Sequence, residues 1–248
     1  MELAHRFVGR GHEVCVMGRG KDGARQYVDS SGVQIMEYSG FNRTGRIVFD
    51  LFKDFLCALR VIPQIPRSDI VVTNSFSLPV VLMPFKRLKG KIVVHVQRYP
   101  KGQMWLYLGA DAIQTVSGVV ARAIERQCRA LKGRVSIIGN PINTALYCPP
   151  AEGRRTAASP VVLYVGRIHP EKGLHLLIEA FRSVADRVPM ARLRIVGPVS
   201  ESSGGGGEEY SRSLRAAAAG LKIEFVNAIS EETALSRVYR EADCFCYP

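Results

Sequence analysis

The sequence predicts an α/β protein of two doubly wound, parallel-sheet domains, both incomplete. Three observations predict it. Strand-length runs rich in Val and Ile show little polar alternation, as strands buried on both faces should. Longer stretches with helical spacing separate those runs. A turn-rich break near residues 140–159 interrupts the alternation, which then restarts and divides the chain into residues 1–145 and 146–248.

The chain opens on a helical pattern at residues 2–10, closed by Gly11. Strand candidates follow at residues 13–18, 33–38, 69–74, 91–97, 112–116 and 134–138. Between them, residues 45–62 space Ile47, Phe49, Leu51, Phe52, Phe55, Leu56 and Leu59 over several helical turns until Pro63. Ser117 suits the cap of a helix carrying Val119, Val120, Ile124 and Cys128. After the break, strands are expected at residues 160–166, 191–197, 222–226 and 242–247, with helices at 172–188, 208–219 and 231–240. The Ser/Gly-rich stretch 200–207 reads as a flexible loop. A doubly wound sheet usually opens on a strand whose following turn approaches the ligand. A chain that opens on a helix and closes on a bare strand is therefore expected to be cut at both ends.

Composition narrows the classes. No run reaches the roughly 18 apolar residues of a membrane-spanning helix, and residues 1–6 lack a signal-peptide core, so a cytoplasmic protein is expected. Cys15, Cys57, Cys128, Cys148, Cys244 and Cys246 follow no secreted-framework or metal spacing and read as buried free thiols. The net charge of +12 is uneven: residues 1–150 hold 21 Lys/Arg against 10 Asp/Glu, the remainder 13 against 12. The first half is therefore expected to meet something anionic: a phosphorylated ligand, a membrane surface or nucleic acid. Its densest cluster, Lys86-Arg87-Leu88-Lys89-Gly90-Lys91, reads either as a solvated loop or as a contact with an anionic membrane.

The stretch from Val161 to Leu174 carries the most chemistry. A buried strand ends at Gly166, the chain turns through Pro170, and a helix is expected from Lys172. Ligands bind at this carboxyl edge of parallel sheets. Gly166 lets backbone approach a ligand, Arg167 offers a fork of donors that fits phosphate, and Lys172 adds a mobile charge. On composition alone, two surface cations on a connecting turn explain the stretch equally well.

This segment resembles the start of the C-terminal domain of GT-B glycosyltransferases of family 4 (glycosyl transferases group 1), the retaining, nucleotide-sugar-dependent group. That family shows strand-Gly-Arg and then Glu-Lys-Gly, as Arg167 and Glu171-Lys172-Gly173 do here. Leu3-Ala4 with Gly11–Val14, Gly139–Asn143 with Tyr147-Cys148-Pro149, Arg194–Gly197 and Tyr239–Pro248 resemble further landmarks in the family's order. The resemblance covers nearly the whole chain. It implies two Rossmann-like domains facing a cleft, an acceptor-side domain at 1–145 and a nucleotide-sugar donor domain at 146–248. It assigns the donor diphosphate to Gly166, Arg167 and Lys172, and the nucleotide pocket to Gly197, Val226 and Asn227. It also gives His95, at the end of Ile92-Val93-Val94, a catalytic part facing the donor sugar, where a lone strand-end His would otherwise be structural. Arg98 and Lys101 then suit an anionic acceptor.

Departures from the family pattern accompany the resemblance. The family's first strand and glycine-rich loop would precede Met1, and its Glu-x7-Glu motif would follow Pro248. The turn after Phe225 reads Val226-Asn227-Ala228, where members commonly carry a glycine. No Asp-x-Asp motif is seen, so no metal or other cofactor is expected beyond the nucleotide-sugar co-substrate. The implied function is retaining transfer of a sugar from a nucleotide-diphosphate sugar to a carbohydrate or lipid-linked acceptor, in glycan, glycolipid or cell-envelope polysaccharide synthesis. The chain is expected to be a fragment of low activity, cytoplasmic and peripheral at the inner face of a membrane. The competing reading is a non-catalytic, nucleotide-binding remnant. A Rossmann-type oxidoreductase ranks last, since no Gly-x-Gly-x-x-Gly turn with an acidic residue about 20 positions on stands out. Nucleic acid is not an expected partner, because the cations are not interleaved with a base-reading motif.

Overall fold

In the computed structural model, which describes residues 1–20, 23–41, 46–149 and 159–248, the chain divides into two units, Met1–Pro141 and Ile142–Pro248. The first unit opens on α1 (Glu2–Val8), then β1 (Cys15–Arg19), β2 (Arg25–Val28) and β3 (Gln34–Tyr38). These strands form a sheet of order β1-β3-β2, with β1 parallel and β2 antiparallel to β3. The sequence does not predict β2. Its four residues are all exposed, so it lacks the buried apolar run that marks the other strands.

Next come α2 (Ile47–Val61), β4 (Ile70–Thr73), α3 (Leu78–Leu82), α4 (Lys86–Lys89), β5 (Lys91–Val96), β6 (Ala112–Thr115), α5 (Gly118–Gln127) and β7 (Val135–Ile137). The basic cluster is thus not a loop but the one-turn helix α4 running into β5. Strands β4-β5-β6-β7 form a second sheet, parallel throughout. Ser117 caps α5 as expected, its Oγ accepting the Val120 N–H at 3.3 Å. The core under this sheet includes Leu82, Ile92, Ile113, Ile124 and Leu131, all under 2% exposed. Each such side chain contributes about 1.5–3 kcal/mol by leaving water. Gly45, the expected helix start, lies outside the described residues.

The second unit holds β8 (Val161–Val165), α6 (Leu174–Arg187), β9 (Arg192–Val196), α7 (Gly207–Ala217), β10 (Ile223–Val226), α8 (Glu232–Glu241) and β11 (Cys244–Phe245). Its sheet, β10-β9-β8-β11, is parallel throughout. Parallel neighbours need crossover connections, and here each is a helix. Of these, α6 buries Leu174, Leu177, Ile178 and Phe181 in the core of the unit. Asp243 fixes the edge strand, its carboxylate accepting the Val161 N–H at 2.8 Å. Within this unit the segment around Asn143 to Tyr147 docks on α8. Arg240 donates to the Leu146 carbonyl at 3.0 Å, and the Tyr147 ring meets Tyr239 edge-on. The rest of the expected break, residues 150–158, lies outside the described residues.

Two expectations need correction. Residues 200–207 are not a loose loop: Glu201–Ser203 form a 3-10 turn, and a Cβ on Gly205 would lie 2.0 Å from the Val199 carbonyl oxygen. All six cysteines are free, but only Cys128 is buried, while Cys148 and Cys244 are exposed. Among the described residues, no helix is long and apolar enough to cross a membrane.

Candidate functional site

The carboxyl ends of β8, β9 and β10 converge on two glycines. The Gly166 N–H donates to the Val196 carbonyl at 2.9 Å, and the Gly197 N–H to the Val226 carbonyl at 3.0 Å. A Cβ on Gly197 would sit 1.8 Å from the Gly166 carbonyl oxygen, so no larger residue fits there without moving a strand end. A Cβ on Gly166 would meet the Tyr164 hydroxyl at 2.6 Å. That hydroxyl donates to the Arg167 carbonyl at 3.0 Å and so anchors the backbone that carries the guanidinium. Burial of the phenol, reinforced by Tyr247 and Tyr210, pushes Tyr164 up to about 12, so it remains a donor at neutral pH.

Arg167 divides its donors between the Gly204 carbonyl, at 2.9 Å, and the Glu171 carboxylate. The first contact places it in the turn 200–207, where Gly204 adopts a left-handed conformation. The second holds the Glu171 carboxyl below its ordinary value, chiefly through this hydrogen bond. Both side chains are about half exposed, and ion pairs of that kind exchange readily for another anion. A phosphate oxygen presents the same acceptor geometry as the carboxylate it would displace.

Lys172 does not begin a helix. His169 caps a 3-10 turn, Pro170–Lys172, accepting the Glu171 N–H at its Nδ1, and Gly173 then turns left-handed before α6. The Lys172 ammonium lies 5.4 Å from the centroid of the Tyr247 ring, which itself stacks on Tyr164 at 5.7 Å. One aromatic pair therefore supports both cations, Arg167 through its backbone and Lys172 through its charge. Tyr247 gives no such signal in sequence.

A cavity of about 270 Å³ opens at this edge, lined by Gly166, Arg167, Val196, Gly197, Ala228 and Leu235 among others. Of the expected residues, Gly166, Arg167 and Gly197 line it, while Lys172, Val226 and Asn227 do not. Val226 contributes its carbonyl to Gly197, and the wall expected of Asn227 is made by Ala228 and Ile229. A second cavity, of about 290 Å³, lies at the opposite end of the strands. Of its lining cations, Arg194 pairs with Glu224 at 2.8 Å and with Glu241 at 2.9 Å, while Arg192 donates to the Ser159 hydroxyl at 2.9 Å.

In the first unit, His95 is the penultimate residue of β5. Its Nε2 is buried without a hydrogen-bond partner among the described residues, and burial lowers its pKa, so the ring is neutral at pH 7. Thr73, at the end of β4 and 3% exposed, and Ser75 just beyond carry hydroxyls in the same condition. An unsatisfied buried polar group costs about 1–3 kcal/mol, and three of them mark the carboxyl edge of this sheet. Composition offers no hint of Thr73 or Ser75. Arg98 and Lys101 are exposed beyond the same strand.

One glycine spacing corrects the sequence reading. Gly18, Gly20 and Gly23 do follow Gly-x-Gly-x-x-Gly, with Gly18 still inside β1 and paired with Glu37 on the neighbouring strand. A dinucleotide-binding turn opens a helix. Here the chain runs instead into β2, an antiparallel strand, which removes the oxidoreductase reading on structural grounds.

Comparisons with known proteins agree in kind. The family described as Glycosyltransferase Family 4 matches residues 1–146, and the one described as Glycosyl transferases group 1 matches residues 151–248. A D-inositol 3-phosphate glycosyltransferase from Streptomyces avermitilis is 28% identical over 130 residues, 49% of this chain and 28% of that protein. The chain thus matches less than a third of the length of this curated relative. Among solved structures, a sucrose-phosphate synthase from Thermosynechococcus elongatus superposes with a TM-score of 0.74 at 18% identity, covering 98% of this chain and 67% of that one. A trehalose-6-phosphate structure from E. coli, bound with UDP-2-fluoro glucose, gives 0.72 at 12% identity, covering 99% and 73%.

Proposed function

The chain belongs to glycosyltransferase family 4, and from that premise we propose that it serves retaining transfer of a sugar from a nucleotide-diphosphate sugar to a carbohydrate or lipid-linked acceptor. Its fold is that of the GT-B enzymes, two α/β units each holding a four-stranded, all-parallel sheet. The observation that carries the proposal is the meeting of Gly166 and Gly197 beneath Arg167, at the mouth of a cavity of about 270 Å³. Backbone free of Cβ atoms, a forked cation and a second cation on the same turn suit a diphosphate and the nucleoside attached to it.

The chemistry follows from charge. As the bond between sugar and diphosphate breaks, negative charge grows on the leaving phosphate. Arg167 and Lys172 stabilise that charge, and Tyr164 with Tyr247 keeps them in place before it appears. Glu171 occupies Arg167 until phosphate replaces it. His95, held neutral by burial, acts toward the transferred sugar as a hydrogen-bonding group rather than a cation. No metal enters this account, since the two cations supply the positive charge.

Isothermal titration of the chain with UDP, GDP and ADP tests the assignment. Binding of at least one is expected, with a loss of about tenfold to a hundredfold in Arg167→Ala plus Lys172→Ala, the size of one or two charge-assisted hydrogen bonds. Unchanged affinity in that double variant sinks the assignment. Where turnover is seen, proton NMR of the product reads its anomeric configuration, and an inverted linkage would refute retention.

A further inference from the structure

The two partners of Arg167 differ in kind. Its Nη1 donates to the Gly204 carbonyl at 2.9 Å, and its Nη2 donates to the Glu171 carboxylate. The aliphatic stem lies along Gly204, where a Cβ would come within 3.0 Å of the Arg167 Cδ. Stem and Nη1 are thus held by backbone at Gly204, whatever Nη2 touches. The Nη2 partner is the exchangeable one, because it is a side chain and about half exposed.

Glu171 also has a place to go. While Oε1 takes Nη2 of Arg167, Oε2 stands 3.9 Å from the His169 Nδ1. The hydrogen bond from Arg167, then the charges of Arg167, His169 and Lys172, lower its pKa, so it is an anion at pH 7. A carboxylate displaced from Arg167 remains beside Lys172, where it continues to offset the positive charge of the turn.

We propose that Glu171 is a resident anion of the donor site, which competes with phosphate for Arg167, weakens the hold on a nucleoside diphosphate and speeds its release. The inference rests on the assignment of Arg167 and Lys172 to the diphosphate and adds a regulator of that site. Two effects act in the same direction. A phosphate oxygen needs the Nη2 that Glu171 occupies, and a carboxylate left nearby repels the phosphate by like charge. Since the ion pair is exposed, the penalty shifts affinity only severalfold and leaves the site open. Such a penalty is useful to a transferase. Once the sugar has left, the diphosphate carries more negative charge than it did in the donor, so two cations alone would retain it. Glu171 gives Arg167 a partner as the product departs, and holding donor and product equally tightly would not raise turnover.

Calorimetry with UDP, GDP, ADP and inorganic pyrophosphate tests this in the wild type, Glu171→Gln, Arg167→Ala and Arg167→Ala plus Glu171→Gln. Glu171→Gln keeps the shape of the side chain and removes its charge. It is expected to bind the preferred diphosphate about threefold to fivefold more tightly, the scale of an exposed ion pair, with slower dissociation in surface plasmon resonance. Most of that gain is expected to vanish in the Arg167→Ala background, because the competition acts through Arg167. Glu179→Gln, which removes an exposed acid from α6, is expected to change nothing. Unchanged or weaker binding in Glu171→Gln overturns the proposal, and so does a gain of the same size without Arg167. Either result, beside a loss of affinity in Arg167→Ala plus Lys172→Ala, leaves the donor-site assignment standing. Unchanged affinity in that double variant, or no binding of any probe to the wild type and Glu171→Gln, sinks both.

Discussion

Helices α2 and α6 have nearly the same length, 15 and 14 residues, and both show a strong apolar stripe. Their surroundings are opposite. In α6 the stripe of Leu174, Leu177, Ile178 and Phe181 packs into the second unit's core, with Phe181 only 2% exposed. In α2 the stripe faces outward and the acidic side packs inward. The difference teaches that helical periodicity predicts a helix and an apolar face, while what covers that face is decided elsewhere. The same division runs through the units. The second has a single sheet, parallel throughout, and nearly balances its charge, whereas the first has two sheets and nearly all of the excess.

The largest effect expected from this contrast is in stability. Phe181→Ala empties a packed site and is expected to cost about 3–5 kcal/mol in denaturant unfolding. Phe52→Ala, at an exposed position, is expected to stay within about 0.5 kcal/mol. If Phe52→Ala costs as much as Phe181→Ala, the stripe of α2 is covered in solution and the contrast breaks. Gly197→Ala sharpens it at smaller scale. The new Cβ would fall 1.8 Å from the Gly166 carbonyl oxygen, and a cost of about 1–3 kcal/mol is expected. Gly139→Ala, with nothing within 4 Å of its Cβ, is expected to be silent in the same melts.

The smallest expected effect is a pH dependence at His95. Burial lowers its pKa in the folded chain, so the unfolded state binds the proton more readily. Stability is therefore complete above the ordinary imidazole value of 6.5 and falls as pH drops below it. Unfolding measured on either side of that value is expected to show this slope reduced in His95→Gln. An equal slope in the variant would show that other groups set it.

Much of this is legible in the sequence. Parallel strands announce themselves through Val and Ile, and β4 through β10 are placed by that signal, but burial on both faces does not hold for all of them: Ile70 and Val72 of β4 and Ile137 of β7 are more than half exposed. The exposed strand β2 and the short helices α3 and α4 carry too little periodicity to register. The phosphate-side turn is legible as a set of residue types, but its geometry is not. His169 caps a 3-10 turn where the pattern predicts a helix start, and Gly173 breaks the path into α6. The engagement of Arg167 by Glu171, the support of Lys172 by Tyr247, and the orphaned hydroxyls of Thr73 and Ser75 depend on the folded arrangement. No local pattern reports them.

The claim that Arg167 and Lys172 read a diphosphate is tested most directly by comparing a nucleoside diphosphate with its monophosphate, by calorimetry, in the wild type and in Arg167→Ala plus Lys172→Ala. The wild type is expected to favour the diphosphate by at least about tenfold, with the preference lost in the double variant. Equal affinity for the two nucleotides in the wild type, or a preference that survives the double substitution, would contradict it.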